Sequence, residues 1–171
     1  MIVLTNPGGP DATEDEIYRA RLDPQDVANE AWTFTAQILE GRAHFNHTLD
    51  KVLEEAAFLL GCEPLRVLDQ CVVTNHIKCS TPKAISEYRR APELAQRRAT
   101  SAACVERLLR REIAYWKPDK LAVFSAIARE ALDRARIPYD GEISHPTARG
   151  ANLNQDIRRA KLVALKARLG L

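Results

Sequence analysis

The sequence predicts an α/β fold: three layers, α/β/α, around a short, mainly parallel four-stranded central sheet. Two observations carry this expectation. Short apolar runs rich in β-branched residues alternate with longer segments whose apolar residues recur every three or four positions. Parallel neighbours in a sheet need crossover connections, and helices of this length supply them. The third element is size, since 171 residues is room for a single domain, residues 1–171, with one core.

In order along the chain, Ile2-Val3-Leu4-Thr5 reads as a buried strand that stops at Asn6-Pro7-Gly8-Gly9-Pro10, where proline and glycine forbid continuation. From Pro24, the apolar positions Val27, Ala31, Phe34 and Ile38 mark one face of a helix that Gly41 can end. Leu49, Val52, Leu53, Ala56, Ala57 and Leu60 form a second stripe, with Asn46 or Thr48 as cap and Gly61 as stop. Val67 to Val73 is the second strand candidate, followed by the polar stretch Thr74-Asn75-His76 and by Pro82. Pro92 to Ala114 reads as a long amphipathic helix dense in arginine. Lys120 to Phe124 is a third strand, Ala126 to Ala135 a helix, Ile143-Ser144 the end of a fourth strand, and Asp156 to Leu169 a closing helix. Three polar clusters follow strands and are therefore expected on one rim of the sheet, where ligands of open α/β sheets bind.

Composition excludes more than it suggests. Hydrophobic residues at 46% and charged residues at 28% are ordinary for a globular protein. No apolar run approaches the roughly 18 residues of a membrane span, so no membrane partner is expected. The N-terminal stretch does not read as a signal peptide, and the expected location is cytoplasmic. A net charge of +2 does not by itself argue for nucleic acid. Arg89, Arg90, Arg97 and Arg98, followed by Arg107, Arg110 and Arg111, do cluster, either as solvated helix faces or as phosphate contacts. The four cysteines, Cys62, Cys71, Cys79 and Cys104, form no CxxC pair and read as reduced thiols.

Thr5-Asn6-Pro7-Gly8, Val73-Thr74-Asn75-His76-Ile77-Lys78-Cys79 and His145-Pro146-Thr147 together resemble the motifs of the uracil-DNA glycosylase superfamily, in order. The stretch from Val72 to Pro82 is most similar to the thermostable iron–sulfur type, as are Cys104 to Leu109, Lys117-Pro118-Asp119-Lys120 and Ala126-Ile127-Ala128. The segment from Glu16 to Phe45 matches poorly. The resemblance implies a DNA repair enzyme that flips a base out of the helix and hydrolyses its N-glycosidic bond. It implies DNA containing uracil or another deaminated base as the partner, and a monomer.

The roles it implies agree with the chemistry of the side chains. Asn75 stands where the family reads the base: a carboxamide can donate to a uracil carbonyl and accept from its ring N–H, a pattern cytosine reverses. His145 stands where a neutral imidazole donates to the uracil oxygen that gains charge as the bond breaks. Asn6 stands where a side chain orients the attacking water; an amide, unlike a carboxylate, does so without acting as a strong base. Glu14 and Asp15 are rival candidates, although acidic residues near a helix start commonly complement its dipole. Pro7 and Gly8 complete the first motif, and Phe45 is the candidate for stacking on the base, with Trp32 and Phe34 behind it. Lys78, Thr147 and Arg149 are the expected DNA contacts, Arg149 standing where the family often carries an apolar wedge.

Cys79 and Cys104 match two ligand positions of the 4Fe-4S cluster, but the upstream cysteine pair has no counterpart, so no cofactor and no metal is expected. The second reading is a non-catalytic or weakly catalytic DNA-binding homologue, because the first motif lacks the carboxylate of the iron–sulfur type. A generic α/β hydrolase or nucleotide-binding module lacks its motifs: there is no Gly-x-Gly-x-x-Gly and no Gly-x-Ser-x-Gly.

Overall fold

The computed structural model describes residues 1–5, 25, 29, 33, 36, 47–77, 91–146 and 154–171. Four strands, β1 (Ile2–Leu4), β2 (Val73–Asn75), β3 (Ala122–Val123) and β4 (Gly141–Glu142), form one sheet in the order β2-β1-β3-β4. Every neighbouring pair is parallel, with Leu4 opposite Asn75, Val3 opposite Val123, and Val123 opposite Glu142. The chain thus builds outward from β1 to β2, then returns to the other side of β1 for β3 and β4. The strand order therefore reverses direction between β1 and β3.

The helices among the described residues are α1 (His47–Leu60), α2 (Ala91–Cys104), α3 (Arg110–Trp116), α4 (Ala126–Arg134) and α5 (Gln155–Leu169). Side chains alternate across a strand, and here the alternation divides the core in two. Ile2, Leu4, Ala122, Phe124 and Ile143 pack with Val52, Leu53 and Ala56 of α1 and Leu162, Leu165 and Leu169 of α5. Val3, Leu121 and Val123 point the other way, against Val105, Leu109, Ala128, Ala131 and Leu132. Helices therefore cover both faces, which is the three-layer arrangement expected from the sequence.

Local signals explain the boundaries. Gly61, at φ +70, ends α1 in the left-handed region that glycine occupies without steric cost. Ser125 caps α4 by accepting from the amides of Ile127 and Ala128 at 3.2 and 3.4 Å. Asn154 does the same for α5, accepting from Asp156 and Ile157 at 2.9 and 3.1 Å. Gly141 is where α5 presses on the sheet: a Cβ there would collide with the Leu165 side chain.

Two strand expectations are corrected, and one helix expectation is borne out and extended. The strand placed at Val67 to Val73 is instead a 3-10 helix, Pro64–Asp69, and β2 begins only at Val73. Pro64 starts that helix with its fixed φ, and Val67 is its buried residue. The helix expected at Pro92 to Ala114 is a continuous helical run from Ala91 to Trp116, in which Val105–Leu109 takes the wider π form between α2 and α3. The fourth strand lies earlier than Ile143-Ser144, at Gly141–Glu142, although the Ile143 amide still donates to Val123. Of the expected helix from Pro24 to Gly41, residues 25, 29, 33 and 36 are helical and the others lie outside the described residues.

Candidate functional site at the carboxyl rim of the sheet

The parallel strands all end on the same side, so their trailing residues form a row: His76, Thr5, Ser125 and Ser144, following the strand register. Each is polar, whereas the residues one step earlier in β1, β3 and β4 are the apolar Leu4, Phe124 and Ile143. The rim is thus a polar band on an apolar base.

At the reversal between β1 and β3, the hydroxyls of Thr5 and Ser125 meet at 2.5 Å. Ser125 already accepts two amide hydrogen bonds as the cap of α4, which occupies both its lone pairs, so its own proton goes to Thr5.

On the β2 side, Thr74 donates to Glu112 at 2.9 Å, pinning the strand to α3. His76 is fully buried, and both its backbone amide (3.0 Å) and its Nδ1 (3.1 Å) meet the Leu4 carbonyl. A carbonyl only accepts, so Nδ1 carries the imidazole proton. Between them lies Asn75, whose residue is half-buried but whose amide oxygen has no exposed surface and no hydrogen-bond partner. Alternation along β2 sends Asn75 to the same face as Val73, the side covered by α1. A buried acceptor left without a donor costs about 1–3 kcal/mol, which makes the Asn75 oxygen an open hydrogen-bonding position among the described residues of the rim.

On the β4 side, the segment Ser144-His145-Pro146 is held from below. Arg158 of α5 is buried, and it donates to both oxygens of Glu55 of α1 at 2.7 and 2.6 Å and to the Ser144 hydroxyl at 2.8 Å. Burial first, and the nearby Arg158 charge second, push the His145 imidazole below its ordinary value of 6.5. The ring is therefore neutral at pH 7. Pro146 is fully buried.

The structure thus carries Asn75 and His145 on the same rim, at its opposite edges, with β1 and β3 between them. Across three strand intervals that separation is roughly 14 Å at the backbone. Asn6, Pro7, Gly8, Phe45, Lys78, Thr147 and Arg149, the other residues singled out in the sequence, lie outside the described residues, as does Cys79. Cys104 packs with Ile77 and Ile127. Among the described residues no group of three or more His, Cys, Asp or Glu could hold a metal ion, and no helix is long and apolar enough to cross a membrane.

Two cavities lie at the two ends of the strands. One of about 430 Å³ opens beside Ser125 and Ser144, between Arg129 of α4 and Lys161 and Arg168 of α5. Another, of about 500 Å³, lies at the opposite end of the strands, near Met1, Val72 and Trp116, away from the polar row. Sequence reasoning put Ser144 in the polar cluster expected on the rim, and assigned no part to Ser125, Glu55 or Arg158. Ser125 was findable, since a serine between a strand and an apolar helical stripe is an N-cap signature; the pairing of Glu55 with Arg158 was not, because the two are 103 residues apart. Comparison with family models, curated proteins and solved structures finds no match to this chain.

Proposed function

We propose that the protein is a DNA glycosylase that hydrolyses the N-glycosidic bond of uracil, or of a related deaminated base, extruded from DNA. The observation that carries this reading is the Asn75 amide oxygen, buried at the rim and lacking a donor. The ring N–H of uracil is such a donor, and the same carboxamide can give its own N–H to the neighbouring carbonyl. Cytosine has no N–H at that ring position and would leave the amide oxygen unpaired, so the site discriminates by hydrogen bonding rather than by size.

The far edge supports the second half of the reaction. A neutral His145 donates to the oxygen on which negative charge grows as the bond between the sugar and the base breaks. Water adds to the sugar carbon in place of the base, its oxygen forming the new bond, and the proton it sheds balances the departing base anion. The roughly 14 Å between the two edges suits two side chains of roughly three or four bonds each, two hydrogen bonds of about 3 Å and one six-membered ring. In this reading Asn6 orients the water, Phe45 stacks on the base, Pro7 and Gly8 line the pocket, and Lys78, Thr147 and Arg149 hold the DNA.

One observation favours the alternative of a DNA-binding homologue with weak or absent chemistry. The described carboxylates beneath the rim are engaged: Glu55 by Arg158, Glu112 by Thr74, and Glu142 by Arg129 and Tyr139. None of the three is placed to serve as a general base. Incubation with uracil-containing oligonucleotides, single- and double-stranded, followed by alkali, separates the two readings. Strand cleavage at the uracil position is expected; salt-sensitive binding with no abasic sites selects the homologue, and neither result on any damaged base removes both.

A further inference from the structure

We propose that Arg158 is a positioning residue for His145: locked by Glu55 and clamped on Ser144, it fixes the segment that carries the imidazole. The inference rests on the glycosylase reading for its purpose, but not for its geometry.

The guanidinium uses all three of its nitrogens. Nε and Nη2 bind the two oxygens of Glu55, and Nη1 binds the Ser144 hydroxyl. One side chain thereby ties α1, α5 and the residue next to His145 into a single unit. The pair is nearly sealed from solvent, with side-chain exposures of 8% and 14%. A buried ion pair adds little net stability, because desolvating both charges offsets their attraction. What it does supply is a fixed geometry, since the planar fork of arginine meets a carboxylate in one orientation.

The surroundings of His145 contain several charges. Around the adjoining Pro146, a cavity of about 330 Å³ is lined by Lys51, Glu54 and Glu55 from α1 and Arg158 and Arg159 from α5. On the other side of Ser144 lie Arg129, Glu142 and Lys161. Arg159 sits over the Phe58 ring, 3.7 Å from its centroid, and Arg129 is paired with Glu142. Among the described residues, the Arg158 charge bears on the imidazole, adding to the effect of burial. A cation there opposes protonation of His145. It also lies on the side of the rim where a departing base would gather negative charge.

The test is an NMR titration of the imidazole signals of the full chain, with His145 assigned by its loss in His145→Gln. In the unmodified protein the His145 midpoint is expected below 6.5. Replacing both partners, Glu55→Met with Arg158→Met, removes the cation without stranding a buried charge, and the midpoint should rise. Glu55→Gln should move it the opposite way, because Arg158 then acts without its counter-charge. Arg158→Lys keeps the charge and should leave the midpoint low. A folded double variant with an unmoved midpoint overturns the proposal. If the double variant does not fold, a Glu55→Gln midpoint that stays put or rises overturns it equally.

The titration needs no substrate, so it is independent of base excision. Shifts as expected in a protein that excises nothing keep the positioning role and discard the glycosylase reading; excision with an unmoved imidazole does the reverse. Where both hold, the acidic limb of the pH–rate profile should climb with the imidazole midpoint in the double variant, which a merely structural role would not produce.

Discussion

The two edges of the rim are built on opposite plans. At the β2 edge, Asn75 has a buried amide oxygen that no protein donor reaches. At the β4 edge, His145 follows a serine held by an arginine whose every nitrogen is engaged. The first edge leaves a polar group open, and the second has its polar groups paired. Such a division suits a site that must choose its ligand at one end and act on it at the other. Selection is strict when a wrong ligand leaves a buried group unpaired. Acting on developing charge is efficient when the donor is already fixed.

Substitutions at each edge should have opposite signatures. The largest effect is expected from Asn75→Ala, which should lower uracil excision by roughly 10⁴-fold. Because it removes an unsatisfied buried acceptor, it should leave the denaturation midpoint unchanged or slightly raised; substantial unfolding would mean that the amide is structural. Glu55→Ala strands the Arg158 charge and should cost about 3–5 kcal/mol in urea unfolding. A loss far below that would show the β4 edge to be less preset than it looks.

His145→Ala should reduce the excision rate by about 10²–10³-fold while leaving stability near that of the unmodified protein. The same residue predicts a pH effect. Its folded value lies below the unfolded 6.5, so between the two values the unfolded chain binds more protons. Stability from this group is therefore present above 6.5 and lost as pH falls through 6.5 toward the folded value. His145→Gln should flatten that slope in thermal melts taken between pH 7 and 5. The smallest effect belongs to Ser125→Ala, midway between the edges. Loss of the α4 cap should cost about 1 kcal/mol, and a larger drop in excision than that would extend the reactive part of the rim to the Thr5–Ser125 pair.

The layers were legible in the sequence because each depends on local pattern. Val3 between Ile2 and Leu4 alternates, and the α1 stripe repeats at helical spacing, so the face each residue buries follows from its position alone. Polar residues after apolar strands likewise put Asn75 and His145 on the rim. The misplaced strand shows where pattern fails. Val67, Leu68, Cys71, Val72 and Val73 are an apolar run without a period, which a buried helix turn and a buried strand satisfy equally; the packing of Val67 decided it.

By itself, then, the chain determined β1, β3, the described long helices and the polar punctuation after the strands, since these arise from interactions within a few residues. Only the tertiary structure decided the strand order that sets Asn75 and His145 at opposite edges, and only it joined Glu55 to Arg158 beneath Ser144. Both depend on groups far apart along the backbone, whose meeting is governed by how whole layers pack and not by any spacing that a sequence displays.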